Sequence, residues 1–479
     1  MGFDGTPRNM NRGRFVLICA VLLAGCARMS DIETHEKMLD AQRLDQGKAI
    51  AKADPIPWPD EKWWKAYRDA QLDALVEHGI ADSPTLGSAR ARIAQSQALA
   101  DRMHAATKPA IGVDASAMRE RYTAQQFIPP PWGGTVSWDN QAQLTFAYDL
   151  DIWGRQKSLW QSSMDEARAV AAEAQMVRLE LITAIVRSYV MLALEYDLRD
   201  LAMKEQAEIE QRIAIDKRSL MSGMGTEMEL AEAETHLPEA RLKIEALDMR
   251  IALMKNQIAA LSGQGPGAGE KLVRPELKLD ARSGLPDRLM ANLIGRRPDV
   301  LAYRWRVEAA RNGIESAKAA FYPNINLLAF AGVQALGFNQ LLGASAAMAG
   351  VGPAISLPIF DGGARRAHLS EKTAAYDVAV DDYNERVLRS LQEISDQLHV
   401  LQSNAVQRSE AKGALGLAQK KHELAEAGYR AGLADYAHVI DADVAVLQHQ
   451  AMLATLEAEG FDAYAGLMRS LGGGIREDK

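Results

Sequence analysis

The chain has 479 residues and a formal net charge of −8, with 55 Lys and Arg against 63 Asp and Glu, so it lacks the cationic excess that a nucleic-acid partner requires. Aromatics make up only 6%, Ala, Leu, Gln and Glu are abundant, and charges alternate over short stretches, a composition of long helices rather than of a β-rich globule. The sequence holds no HExxH, GxSxG, CxxC pair or P-loop and no cluster of His and carboxylates at ligand spacing, which gives no footing for an enzyme, a metal or a cofactor.

Arg8, Arg12 and Arg14 precede an apolar run from Phe15 to Ala24, too short to span a bilayer as a helix but suited to a secretory signal. Leu23-Ala24-Gly25-Cys26 closes the run and resembles a bacterial lipobox. Residues 1–25 are therefore expected to be removed and Cys26 to be acylated; the alternative is an ordinary cleaved signal with a chance cysteine. Cys19 leaves with the signal, so no disulfide forms within the mature chain. Residues 26–66 read as an extended polar arm that ends in Asp54-Pro55-Ile56-Pro57-Trp58-Pro59 and Trp63-Trp64, the Trp pair being a packing element more than a ligand site.

Beyond the arm the chain is duplicated, a first repeat over 67–265 and a second over 285–473, joined by a glycine-rich linker at 266–284 and followed by a tail at 474–479. Pro84 and Pro109 recur as Pro298 and Pro323, and Arg90 and Arg92 recur as Arg304 and Arg306. Gly223 and Glu234 return as Gly432 and Asp443, and Asp151-Ile152-Trp153-Gly154-Arg155 returns as Ile359-Phe360-Asp361-Gly362-Gly363. Each copy reads as short helix, helix, two strands, a very long helix and a return helix. Ser83-Pro84 starts a helix as N-cap and first residue, and Pro109 marks its end. The hydrophobic period then changes from 3.6 to 2. Strands are expected at about 110–122 and 136–150, and again at about 323–334 and 349–360. Four strands are too few to close a barrel.

From about Arg155 to Leu220 and from about Ala364 to Arg430 there is no proline and almost no glycine, so each run predicts a helix about 100 Å long at 1.5 Å per residue. Val387, Leu391, Ile394, Leu398 and Leu401 alternate at spacings of four and three, as do Ala240, Ile244, Leu247, Ile251, Met254, Ile258 and Leu261, which marks coiled-coil seams. Residues 84–107 and 226–262 stacked end to end would line one long helix, with Pro238 expected to kink the second piece.

These features, with the strings Asp151-Ile152-Trp153-Gly154-Arg155, Gly295-Arg296-Arg297-Pro298-Asp299, Phe321-Tyr322-Pro323 and Leu357-Pro358-Ile359-Phe360-Asp361-Gly362-Gly363 in this order, resemble the outer membrane efflux channels of the TolC and OprM type, in the NodT-like lipoprotein branch. The resemblance runs from about Trp63 to Gly473. It implies a mainly α fold with a membrane β-barrel: a homotrimer in the outer membrane of a Gram-negative bacterium, four strands per chain in one shared barrel, and long coiled-coil helices forming a periplasmic α-barrel. Closure in lipid would resolve the unpaired strand edges. The function implied is that of a passive exit duct for small toxic compounds, docked to a periplasmic adaptor and an inner-membrane pump. A non-conducting periplasmic scaffold or adaptor lipoprotein is the alternative; it accounts for the seams but not for four alternating strands.

The resemblance also assigns sites. The turns Met221-Ser222-Gly223-Met224-Gly225-Thr226 and Gly428-Tyr429-Arg430-Ala431-Gly432-Leu433-Ala434 fall at the periplasmic tip, where Gly223, Met224, Gly225, Gly432 and Leu433 would meet the adaptor. The gate above it would use Glu229, Glu426, Tyr429, His438 and Asp441, with Tyr429 matching a gate tyrosine and Glu229 standing for its usual aspartate partner. Ala434 sits where a gate arginine can sit, and His438 where a ring aspartate can sit, so part of that lock is altered. His438 and Asp441 are three residues apart, on one helix face.

Overall fold

A computed structural model describes residues 29–475, apart from 30, 46, 126–132, 280–283, 287, 288 and 290–294. Cys26, the proline-rich loop tip and the last four residues lie outside the described residues. The main elements are β1 (Pro55–Ile56), α1 (Ala70–Asp82), α2 (Pro84–Ala105), β2 (Ala110–Arg121), β3 (Val136–Asp149), α3 (Arg155–Met221) and α4 (Glu227–Leu261). After the linker come β4 (Leu285–Pro286), α5 (Pro298–Ala319), β5 (Asn324–Leu336), β6 (Ala347–Ser356), α6 (Ala364–Arg430) and α7 (Tyr436–Ser470).

Corresponding helices have equal lengths: 22 residues for α2 and α5, 67 for α3 and α6, and 35 for α4 and α7. At 1.5 Å per residue, 67 residues rise about 100 Å. The two copies drift out of step only in the strand region between α2 and α3, where the second is shorter.

The chain divides into two units, and neither is a single repeat. One comprises residues up to 38, 93–170 and 303–383; the other comprises 39–92, 171–302 and 384 onward.

In the first unit β2, β3, β5 and β6 form one antiparallel sheet in that order. Val113 lies opposite Leu144, Leu144 opposite Ala331, and Ala331 opposite Ala349, so apolar positions align across the sheet on one side. Asp114 lies opposite Gln143 on the other side. A one-residue slip would exchange the two faces, which fixes the register. Among the described residues, the outer edges of β2 and β6 have no strand partner.

β6 ends at Ser356, four residues short of the expected end at 360. Pro358 has no N–H to extend the ladder, and its carbonyl accepts from Arg365 Nη2 at 2.5 Å while Arg365 Nε binds Asp361 at 2.6 Å, turning the chain into α6. Near the helix ends, Met29 and Ile32 of the arm pack on Ile314, Phe321, Leu369 and Tyr376, and the amides of His35 and Glu36 donate to the Asp377 carboxylate at 3.1 and 3.2 Å.

The second unit holds the largest apolar core. Trp63, Trp64, Tyr67, Leu72 and Val76 pack with Ile185, Tyr189, Tyr464 and Leu467, all of them buried. Tyr67 Oη donates to the Phe461 carbonyl at 2.6 Å, and burial pushes its pKa well up. The seam residues Val387, Ile394, Leu398, Leu247, Ile251 and Ile258 are buried as coiled-coil packing requires, and so are Val439 and Val446, which with Leu453 and Leu467 follow a seven-residue apolar spacing along α7. Gly460, which breaks the apolar spacing of α7, is small for a reason: a Cβ there would lie 2.8 Å from Asn404 Oδ1, and Asn404 Nδ2 donates to the Leu456 carbonyl beside it at 2.8 Å. α4 runs unbroken as helix through Pro238. Its end abuts the junction between α1 and α2, since a Cβ at Gly263 would fall 2.8 Å from the Asp82 carbonyl oxygen.

Candidate functional site

The two turns that close the helical hairpins use the same chemistry. After α3, Gly223 adopts φ +72°, and the amides of Met224 and Gly225 both donate to the Ser219 carbonyl at 2.9 and 3.1 Å. After α6, Gly432 adopts φ +71°, and Leu433 N donates to the Gly428 carbonyl at 2.9 Å. A left-handed glycine at this position satisfies helix-terminal carbonyls that would otherwise have no partner. Gly225 is constrained differently, because a Cβ there would meet Ser219 Cβ at 3.0 Å. The turns thereby present Met224 and Leu433 at equivalent positions, each 84% exposed, with Met221 and Met228 also exposed beside the first.

Next to the first turn, Thr226 and Glu229 form a capping box: Glu229 N donates to Thr226 Oγ1 at 3.2 Å, and Thr226 N donates to Glu229 Oε2 at 2.8 Å. The Thr226 amide holds the Glu229 carboxyl below its usual range. Within the chain, Glu229 is therefore engaged by its own helix terminus rather than by Tyr429. Thr-x-x-Glu before a helical run is a readable sequence signature, and it identifies this role.

Tyr429 instead meets Tyr436 across the second turn, ring centroids 4.9 Å apart and edge to face. Glu426 pairs with Arg430 one turn along α6 at 3.3 Å. Asp441 on α7 receives Arg212 Nη1 from α3 at 3.4 Å, and the same guanidinium binds Asp216 at 2.9 Å. His438 is exposed on the same helix as Asp441. Arg212 was not discernible from sequence, because it lies 229 residues from Asp441 and follows no motif. Arg212, Glu229, Glu232, His236 and Asp441 line one groove of about 550 Å³.

The Gly295–Asp299 string has a different task. Arg297, 2% exposed, donates to Asp299 through Nε at 3.0 Å and Nη2 at 2.6 Å, to Glu393 at 2.7 Å, and to the Ser470 carbonyl at the end of α7 at 3.1 Å. Arg386 closes on Asp299 from α6, with Nε at 2.5 Å. The first turn of α5 is thus tied to α6 and α7. Beside it, Gly472, Gly473 and Gly474 all have positive φ, and a Cβ on Gly472 would fall 2.1 Å from the Arg296 carbonyl oxygen.

Comparison with known proteins identifies the family in which duplicated hairpins of 67- and 35-residue helices accompany a four-stranded sheet of this order. Residues 75–264 and 289–473 match the family described as outer membrane efflux protein. The chain belongs to the outer membrane efflux protein family. It is 41% identical over 364 residues to fusaric acid resistance protein FusA of Burkholderia cepacia, covering 75% of this chain and 68% of that protein. It is 28% identical over 484 residues to multidrug resistance outer membrane protein MdtP of Escherichia coli K12, covering 96% and 97%. Among solved structures, outer membrane protein VceC of Vibrio cholerae superposes with a TM-score of 0.81 at 30% identity, covering 87% of this chain and all of that one. The outer-membrane channel OprN gives 0.81 at 25% identity over 94% and 99%. Efflux proteins of this family are trimeric channels of the Gram-negative outer membrane that work with pump components, and not enzymes. The open edges of β2 and β6 are where the neighbouring chains of the shared barrel pair.

Proposed function

We propose that this outer membrane efflux protein is the exit duct of a tripartite pump, receiving small toxic organic compounds from an adaptor and an inner-membrane pump and conducting them passively outward. The observation that carries this reading is the four-stranded sheet: one face apolar, one polar, both edges open, and joined through α2, α3, α5 and α6 to the long hairpins. Such a sheet completes its hydrogen bonds in lipid only by closing with copies of itself around a wet lumen. The resistance named for FusA and MdtP supports cargo of this class.

On this reading Gly223, Met224, Gly225, Gly432 and Leu433 seat the adaptor, and Glu426, Tyr429, His438 and Asp441, joined by Arg212 and Tyr436, narrow the lumen behind the tip. Glu229 serves the gate by fixing the first turn of α4. Acylation of Cys26 tethers the N-terminus to the membrane in addition to the barrel. Purified protein in planar bilayers tests the central claim. Stepwise conductance of trimer-sized channels is expected, and a protein that associates with membranes without conducting would favour the scaffold reading.

A further inference from the structure

Residues directly opposite in an antiparallel ladder share a face, so the register sorts the two sides of the sheet. One side carries Ile111 with Phe146, Val113 with Leu144, and Ala115 with Ala142, continued by Leu327, Ala331 and Val333 in β5. The other carries Asp114, Ser116, Gln141, Gln143 and Thr145. In a membrane barrel the apolar side meets lipid.

That apolar side is bounded by aromatic rings. At the end where the helices leave the sheet stand Tyr148 and the nearby stacked pair Trp153 and Tyr322, centroids 4.6 Å apart. At the far end stands Trp138, 5.4 Å from Phe338. Ten residues separate Trp138 from Tyr148, about 34 Å of strand at 3.4 Å per residue, or about 26 Å along the membrane normal at a tilt of about 40°. This equals the height of an outer membrane's apolar band, about 25 Å. The exterior boundary therefore falls on the row of Trp138.

The cross-strand partner of Trp138 is Arg119, and Arg121 follows two residues on, on the same side, opposite Val136. Both arginines are exposed, and among the described residues neither guanidinium has a hydrogen-bond or ion-pair partner. The carboxylates at this end, Glu120 and Asp139, belong to the opposite side. Two unneutralised guanidiniums thus stand at the outer edge of a lipid-facing band, beside an interfacial tryptophan. A guanidinium offers paired donors that match phosphate oxygens, and at such a boundary the anion within reach is a headgroup phosphate.

We propose that Arg119 and Arg121 form a binding site, one per chain, for the phosphate groups of outer-leaflet phosphoglycolipid. The inference rests on the outer-membrane duct reading. Full-length protein in neutral detergent, titrated with fluorescent diphosphoryl lipid A and followed by anisotropy, tests it. Arg119→Gln with Arg121→Gln is expected to weaken binding roughly 25-fold, about fivefold per arginine, and Arg311→Gln on α5 to leave it unchanged. Dephosphorylated lipid A should bind the unaltered protein at least tenfold more weakly than the diphosphoryl form (~), and millimolar-range inorganic phosphate should compete only feebly. Equal binding of the two lipid forms, or of unaltered and doubly substituted protein, overturns the proposal whatever the variant's folding. Conductance of the same preparations separates the two levels: unaltered protein that forms no channel sinks the duct reading, whereas normal channels with arginine-independent lipid binding sink only this site.

Discussion

Replacement of Arg297 by Met isolates the contribution of the buried cluster at the start of α5. The side chain volume is largely kept, but Asp299 loses two hydrogen bonds, Glu393 loses one, and the last carbonyl of α7 loses its partner. Removing one partner of a buried ion pair costs about 3–5 kcal/mol, and Arg386 remains on Asp299 to offset part of it, so a loss of about 3 kcal/mol is expected. Acid stability adds an independent reading. Burial alone would raise the Asp299 carboxyl, but hydrogen bonds from Arg297 and the charges of Arg297 and Arg386 overcome it and hold the group at about 2, below the ordinary 3.8. Because the folded value is depressed, this stabilisation is fully present above about pH 4 and is lost as the pH falls toward 2; it amounts to about 2–3 kcal/mol. Urea unfolding of the detergent-purified protein, followed by helical circular dichroism between about pH 7 and 2, measures both quantities. Arg297→Met should be destabilised at neutral pH and show a shallower acid loss than the unaltered protein. A variant that unfolds within about 0.5 kcal/mol of the parent, with the same acid slope, would refute the reasoning.

Other changes have equally definite outcomes. Gly472→Ala forces a side chain onto the Arg296 carbonyl at positive φ and should cost more than about 2 kcal/mol by the same urea assay, whereas Gly267→Ala, with open space around it, should cost under about 1 kcal/mol. Burial, and then the charge of Asp443, raise the Glu208 carboxyl; the folded chain therefore disfavours its ionised form above the ordinary carboxylate range, and Glu208→Gln should raise the melting temperature at pH 7 but not at pH 4. Cys26→Ser should remove the lipid mass from the mature N-terminus while trimers persist in gels, an outcome that intact-protein mass spectrometry decides. His438→Ala should change the closed periods of the channel in planar bilayers, and unchanged closed periods would exclude that residue from gating.

Where sequence was informative, it was so through repetition. The recurrence of Pro84 as Pro298 and of Gly223 as Gly432 anticipates helices that begin and end at matching positions, because prolines and left-handed glycines act locally and leave a mark at the residue itself. The alternation at Ile111, Val113, Leu144 and Phe146 likewise exposes which strand face is apolar. Long-range partnerships leave no such mark. Nothing about Arg212 announces Asp441, and nothing in Gly295-Arg296-Arg297-Pro298-Asp299 announces Glu393 or Ser470, since these pairs are made by helix packing between distant segments. The Thr226–Glu229 capping box was legible but is easily passed over when Glu229 is considered for the gate alone. The early end of β6 follows from Pro358, whose ring counts for more than the apolar spacing of Leu357 and Ile359.

The bare edges of β2 and β6 have a genetic corollary. A chain whose sheet is finished only by its neighbours places its own failure in every assembly it joins, so an allele with an intact barrel seam and an obstructed lumen should be dominant over the normal copy. With equal synthesis of both and random mixing, about one channel in eight would contain normal chains alone. An allele unable to form the seam would instead be silent, for it would never enter a channel at all.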